Sequence, residues 1–554
     1  MAGLGTTRAK VALALAVLLP VGYLTLDAVD VVPGVLTSDW GHEDTPSALP
    51  AGAGESPGVA PTQPSPKPTP GADGGLGAPG GLSAPSQEDP ALTRAGLAAA
   101  LTPLLADPAL GGSVGVEVRD GRTGTVLFGS SAAAPRTPAS ATKVLTAVGV
   151  ANGEDLSQRF ETRAVAVDAD TVALVAGGDS LLAAGAGDPG AVVGQAGLAD
   201  LAEAAAQALG PRTTPVRVVL DDSFARGPAL APGWEKEDVA LGLTGPVAML
   251  GLGTDRAVPY RPASADPALL ATSTFAQALS AAGIPVQGRP TRLPKAAPAG
   301  AIELAAVHSA PVADVLALAL DESDNDLTET VSRWACARAG APTTFAGCAG
   351  WIRDRMADAG LDVSQVRLAD TSGLSGGTRV PAAVVAAAVT LGADPDPDPD
   401  ADPDPDAAGA ADRSGATGAQ SSSGPQSASA APASATGDAT DDATGDATAA
   451  PAGATGDRSR AQLAQVLAQL PVAGLTGTLS DRFLAPPART GVGVVRAKTG
   501  TLTGVSALAG TVVDAQGRLL TFAVLADRVP AGGTSAARLA LDRLAATLAS
   551  CGCR

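Results

Sequence analysis

The sequence predicts a mixed α/β chain of the α+β kind, with an inserted α+β module and disordered linkers. Three observations carry this. Short β-branched runs and helical patterns alternate irregularly from Ala91 onward. The texture changes near Glu161, where short strands cluster into a module of their own spanning roughly residues 164–300. Two stretches, 45–90 and 394–457, are built from small and polar residues and lack the apolar side chains a core needs. A length of 554 residues allows two to four domains at roughly 150 residues each.

Taken in order, Arg8 and Lys10 precede the apolar run Val11–Leu26, and Asp27 and Asp30 end it. This pattern reads as an export signal. The run is shorter than the ~20 residues of a comfortable membrane span, and no clean A-x-A cleavage site follows. Residues 1–32 are therefore a signal peptide or an uncleaved membrane anchor, and the bulk of the chain is expected outside the cytoplasm, on the cell-wall side, secreted or anchored. Residues 33–92 form a Pro/Gly-rich linker. Order begins with a helix over Ala91–Leu105, strands over Ser113–Val118 and Thr125–Phe128, and a turn at Asp120–Gly124 between them. Pro138 and small residues then lead into a helix that starts at Ser140. Strands follow over Thr162–Val167 and Thr171–Val175, a helix over Val193–Leu209, a strand over Val216–Leu220 and a helix near Phe275–Ala282. Helices resume at Val312–Leu320, Leu327–Arg338 and Pro381–Leu391. Residues 393–458 are a disordered acidic insertion, because alternating Asp-Pro forbids helix and like charges repel. Leu463, Val466, Leu467 and Leu470 mark one face of a returning helix. A strand over Val492–Ala497 runs into Lys498, a hairpin joins Leu502–Val513 to Leu519–Leu525, and Ser535–Leu548 closes the chain.

The net charge is −19, but thirteen Asp and a single Arg fall within 394–457, so the remainder is only mildly acidic. No basic stripe is present, which argues against nucleic acid as a partner. Four cysteines suit an exported protein. Cys336 and Cys348 flank a Gly/Pro-containing loop and could pair, while Cys551 and Cys553 stand too close in sequence to pair easily with each other. No C-x-x-C zinc spacing occurs, and no metal or organic cofactor is implied. The only histidines are His42 and His308.

The chemistry rests on three short motifs in order: Ser140-x-x-Lys143, Ser323-x-Asn325 and Lys498-Thr499-Gly500. Three-residue spacing on a helix sets Ser140 and Lys143 side by side. A helix N-terminus offers free N–H groups and positive potential to an alkoxide. Alone, the first motif fits a plain N-cap serine equally well. All three together fit acyl transfer, which needs a nucleophile, a base, an oxyanion hole and an acid for the leaving group. No histidine accompanies a candidate serine, so Lys143 is the base, with burial expected to lower its pKa and Lys498 to help. Ser323 can relay a proton to the leaving amine, and Asn325 can hold a substrate amide. Thr499 offers a hydroxyl to a carboxylate, and Gly500 leaves room for a peptide along the strand edge. The backbone N–H groups of Ser140 and Thr501 form the oxyanion hole.

With Gly177-Gly178-Asp179, Asp221–Phe224, Pro232-Gly233-Trp234, Asp370–Ser375 and Leu470–Gly474, these motifs resemble the D-alanyl-D-alanine carboxypeptidase/endopeptidase family of penicillin-binding proteins, class C low-molecular-mass type, over about 93–554. The resemblance implies a serine β-lactamase/transpeptidase-like catalytic domain, 93–163 and 301–554, interrupted by an inserted domain, 164–300. It implies carboxypeptidase or endopeptidase action on peptidoglycan stem peptides and acylation by β-lactams as inhibitors. The separation of 183 positions from Ser140 to Ser323 leaves room for an insert that class A β-lactamases lack. Departures from the family pattern are a polar start to the helix after Asn325, a shorter insert and the acidic insertion. Trp234 reads as packing, Gly177-Gly178-Asp179 as a turn, and Asp370–Ser375 as a loop lining the site without a catalytic role. Two other readings use the same residues: a β-lactam-sensing or wall-binding protein that does not turn over, and a β-lactamase.

Overall fold

In a computed structural model, the described residues are 92–393 and 452–553, without the side chains of 452–455. The signal or anchor segment, the linker up to its last residue and the acidic insertion through residue 451 lie outside them. In chain order the elements that position the site are α1 (Arg94–Leu105), β1 (Val114–Asp120), β2 (Val126–Ser130), α2 (Thr142–Gly153), β3 (Arg159–Asp168), β4 (Thr171–Val175), α3 (Leu198–Leu209), β5 (Arg217–Asp221), α4 (Pro267–Ala281), β6 (Thr291–Arg292) and β7 (Ile302–Pro311). They continue with α5 (Val312–Asp321), α6 (Asn325–Arg338), α7 (Phe345–Asp358), α8 (Ala382–Leu391), α9 (Ala452–Leu467), β8 (Val495–Leu502), β9 (Val505–Val513), β10 (Leu519–Ala526) and α10 (Thr534–Ser550).

Two five-stranded sheets organise the chain. The first runs β8-β9-β10-β1-β2 and is antiparallel throughout, which places the first and last strands of the fold side by side. One face carries α1 and α10 over a core that includes Leu97, Leu101, Leu520, Phe522 and Leu544. The other face carries α8, with α2 behind it. Sheet hydrophobicity on both faces demands this three-layer packing. The second sheet runs β7-β3-β4-β5-β6, antiparallel at β7-β3-β4 and parallel at β4-β5-β6. It draws on residues 159–163 and 301–311 as well as on the stretch between them.

Helix α2 is the centre of the molecule. Every residue from Thr142 to Ala151 is buried, as expected of a helix that is apolar nearly all round. Lys143 is the exception in chemistry, and it is fully buried too.

Several elements differ from the expectation. Ser140 is not the first residue of the helix. It sits in a 3-10 turn, Ala139–Ala141, that precedes α2, and Ala139 takes φ +48°, so the turn is tighter than an ordinary helix start. Lys498, Thr499 and Gly500 lie inside β8 rather than at a strand end, because hydrogen-bonded pairing with β9 continues to Leu502 and stops only at the turn before Val505. The helix expected from Val193 starts at Leu198, since Gly194 takes φ +81°. The helix expected near Phe275 starts at Pro267, with Asp266 capping the Leu269 N–H and proline in the first turn. Helix α9 begins at Ala452, inside the segment read as disordered. Strand β7 and helix α7 had no counterpart in the sequence reading.

The cysteine expectation is reversed. Cys551 and Cys553 form a disulfide, their Cα atoms 4.9 Å apart, inside the usual span. Cys336 on α6 and Cys348 on α7 are buried free thiols. No helix among the described residues is long and apolar enough to cross a membrane.

Candidate active site

The first and second motifs meet through Lys143. Its Nζ donates to Ser140 Oγ at 3.0 Å, to Asn325 Oδ1 at 2.6 Å and to the Ser372 carbonyl at 2.9 Å. The Asn325 amide is held in this orientation because its Nδ2 donates to the Leu243 carbonyl at 2.7 Å. Asn325 opens α6, where the Asp324 carboxylate caps the Leu327 N–H and pairs with Arg256.

These three partners decide what a neutral Lys143 does. A neutral amine has two N–H donors and one lone pair. The Asn325 oxygen and the Ser372 carbonyl can only accept, so they take both N–H groups. The lone pair then points at Ser140 Oγ, which alone of the three carries a proton to give. Burial is the leading reason the Lys143 pKa falls from 10.5 to about 8; the carboxylates of Asp370, Asp324, Glu329 and Asp326 pull it partway back.

Lys498 is also fully buried and donates to the Thr499 carbonyl at 3.0 Å. Its pKa is pushed well below the lysine range, first by burial and then by the charge of Lys143, with Asp321 opposing. The two buried lysines repel one another, and burial is the first cause of the lowering at both. Thr499 Oγ1 donates to Thr478 Oγ1 at 2.9 Å.

Gly500 has a role the sequence reading did not assign. A Cβ there would lie 2.5 Å from the Pro138 carbonyl and 3.2 Å from the Ala141 N–H. The glycine lets β8 press against the turn that carries Ser140. Gly373, at φ +83°, presses on the same turn from the other side, where a Cβ would lie 2.1 Å from the Ala139 carbonyl. The turn that carries Ser140 is thus clamped between two glycines.

Strand β8 is an edge strand, and its outer edge is covered only at the start. Ala497 N–H donates to the Pro471 carbonyl, and Ala473 N–H to the Val495 carbonyl, both at 2.9 Å. The two-residue strand period puts the N–H groups of Thr499 and Thr501 on that same outer edge. Ser323 lies two residues before Asn325 at φ +60°. Its half-buried hydroxyl has no hydrogen-bond partner among the described residues.

The sequence reading missed a supporting layer. Glu329 and Asp370 are both buried and hold the 370–375 loop by its backbone. Asp370 accepts from the N–H groups of Gly373 and Ser375, each at 2.7 Å, and from Trp234 Nε1 at 3.0 Å. Trp234 is packed edge-on against Phe345, as its packing reading expects. The one sequence signal for this layer is the four-residue step from Asn325 to Glu329, which sets both on one face of α6.

The sequence profile of the D-Ala-D-Ala carboxypeptidase 3 (S13) family matches residues 97–260, 254–397 and 454–548. The chain is 33% identical over 479 residues to carboxypeptidase DacB of Mycolicibacterium smegmatis, covering 85% of this chain and 86% of that one. It is 30% identical over 468 residues to carboxypeptidase Rv3627c of Mycobacterium tuberculosis, covering 83% and 85%. Among solved structures it resembles penicillin binding protein 4 (dacB) of Haemophilus influenzae, with a TM-score of 0.57 and 17% identity, over 81% of this chain and 97% of that one.

Proposed function

The chain belongs to the D-Ala-D-Ala carboxypeptidase 3 (S13) family, and on that premise we propose that it removes the terminal D-alanine of peptidoglycan stem peptides through an acyl-enzyme on Ser140. The observation that carries this is the lone pair of Lys143, left aimed at Ser140 Oγ by the two acceptors that occupy its N–H groups.

Ser140 Oγ attacks the carbonyl carbon of the D-Ala-D-Ala bond while Lys143 Nζ takes its proton. The N–H groups of Ser140 and Thr501 receive the developing oxyanion. Collapse breaks the C–N bond, and Ser323 passes a proton from the lysine pair to the leaving amine. Lys498 and Thr499 supply an N–H donor and a hydroxyl to the substrate's terminal carboxylate, whose charge favours the ammonium form of Lys498. Asn325 holds a substrate amide as well as the base. Water then hydrolyses the Ser140 ester. A β-lactam follows the same first step, but its amine leaving group stays tethered to the acyl-enzyme. Export, on the strength of Arg8, Lys10 and the run Val11–Leu26, would bring the site to its substrate outside the cytoplasm.

The test is intact-mass measurement of the protein mixed with a penicillin, peptide mapping of the adduct, and a D-alanine release assay on a pentapeptide. Wild type should carry one penicilloyl group on Ser140 and release D-alanine. Ser140→Ala should fold normally and do neither. Turnover by Ser140→Ala would overturn the assignment, and a long-lived adduct without D-alanine release would favour a sensor.

A further inference from the structure

We infer that Glu329 is a positioning residue for the acylation step: through the backbone of the 370–375 loop it aims the Ser372 carbonyl at Lys143 and so directs the Lys143 lone pair at Ser140. This inference rests on the acyl-enzyme reading above.

The geometry is a short chain of hydrogen bonds. Glu329 Oε1 accepts from the N–H of Thr371 at 2.8 Å and from the N–H of Ser372 at 2.7 Å. The next group along the chain, the Ser372 carbonyl, accepts from Lys143 Nζ. On the opposite side Thr146 Oγ1, one turn beyond Lys143 on α2, donates to the Thr371 carbonyl at 2.6 Å. The loop is therefore strung between two helices, each of which also carries a residue of the nucleophile's hydrogen-bond set: Lys143 and Thr146 on α2, Asn325 and Glu329 on α6.

The lone-pair argument needs both acceptors. If the Ser372 peptide rotated, one Lys143 N–H would lose its partner and the amine could turn its lone pair away from Ser140. Glu329 works against this by fixing the two N–H groups that precede that carbonyl, while Asp370 holds the Gly373 N–H of the same peptide unit. Its carboxylate is buried, and burial together with the charge of Asp370 pushes its pKa up to about 7. A neutral side chain of the same shape would be easier to bury, so the charge is retained at a cost.

The charge has a second effect. Lys143 touches only neutral groups, and the charged groups facing it are Asp324, Asp326 and Glu329 from α6, Asp370 from the loop and Lys498 from β8. Glu329 is among those that favour the ammonium form which exists once the Ser140 proton has been taken.

Two variants separate these effects. Glu329→Gln keeps an oxygen that can accept both N–H groups but removes the charge. Glu329→Ala removes both. Acylation by a fluorescent penicillin is followed from pH 6 to pH 10 with thermal unfolding recorded in parallel, and the wild-type adduct is mapped first. The Gln variant should acylate near the wild-type plateau, with the alkaline rise moved to lower pH by roughly half a unit or more, since one carboxylate favouring the protonated amine is gone. The Ala variant, while folded, should acylate at least about tenfold more slowly at every pH, as expected when a base loses its alignment. Acylation at the wild-type rate by Glu329→Ala overturns the inference; should Glu329→Ala not fold, the wild-type rate in Glu329→Asp, whose carboxylate is drawn back from the loop by one methylene, overturns it. An unmoved rise in Glu329→Gln removes only the charge effect. A wild-type adduct on any residue other than Ser140 overturns the acyl-enzyme reading and this inference with it; an adduct on Ser140 with wild-type rates in Glu329→Ala or Glu329→Asp removes this inference alone.

Discussion

Gly500→Ala tests whether the close approach of β8 to the nucleophile turn is what places Ser140. The new Cβ would stand 2.5 Å from the Pro138 carbonyl oxygen and 3.1 Å from Ala507 Cβ, and ordinary contact begins near 3.4 Å. The turn or the strand must retreat by about 0.9 Å, and neither neighbour is a flexible side-chain end. Overpacking of this kind costs about 1–3 kcal/mol in stability. A displacement near 1 Å at a reacting group costs on the order of 100-fold in rate. The variant should therefore fold, unfold at a lower temperature, and acylate Ser140 with a penicillin about 100-fold more slowly, read by time-resolved intact mass. Gly347→Ala, on α7, is the control: its Cβ would lie 2.2 Å from the carbonyl of Pro342, in the loop before that helix, a clash outside the Ser140 turn, and it should lose stability without the same loss of acylation per folded molecule. A Gly500→Ala protein that acylates within about threefold of wild type would refute the reasoning, because the turn would then tolerate a shift that the base alignment cannot.

Two further outcomes follow from the site and the cysteines. The acylation rate of wild type should rise with pH through about 8, because only the neutral Lys143 amine can take the Ser140 proton and its pKa is lowered to about 8; roughly a tenth of the amine is neutral at pH 7 and about nine tenths at pH 9, and a rate that is flat from pH 7 to 9 would exclude Lys143 as the base. A thiol reagent should find no reactive cysteine in the folded protein and two, Cys336 and Cys348, after unfolding without reductant, since both are buried and free while Cys551 and Cys553 are paired; four thiols under those conditions would contradict the pairing.

Order along the chain was legible where the chemistry is local. The alternation of β-branched runs and the three short motifs announce themselves by composition and spacing, because helix and strand periodicity depend on near neighbours in sequence. They were enough to name Ser140, Lys143 and Asn325, which the fold joins by direct hydrogen bonds. Strand β7, which pairs with β3 nearly 140 residues earlier, carries no such local mark: Ile302 and Glu303 are exposed, and only its partner makes it a strand. Burial is not a local property either. The sequence named burial and a second lysine as ways to lower the Lys143 pKa, but only the fold supplies the enclosure by α2, α6 and the 370–375 loop that is the leading cause. In the same way, the roles of Glu329, Gly373 and Gly500 exist only as contacts with backbone atoms far along the chain. Residue types and their spacing thus determined which groups could do the chemistry, and the packing of three distant segments around one amine decided in which direction it can accept a proton.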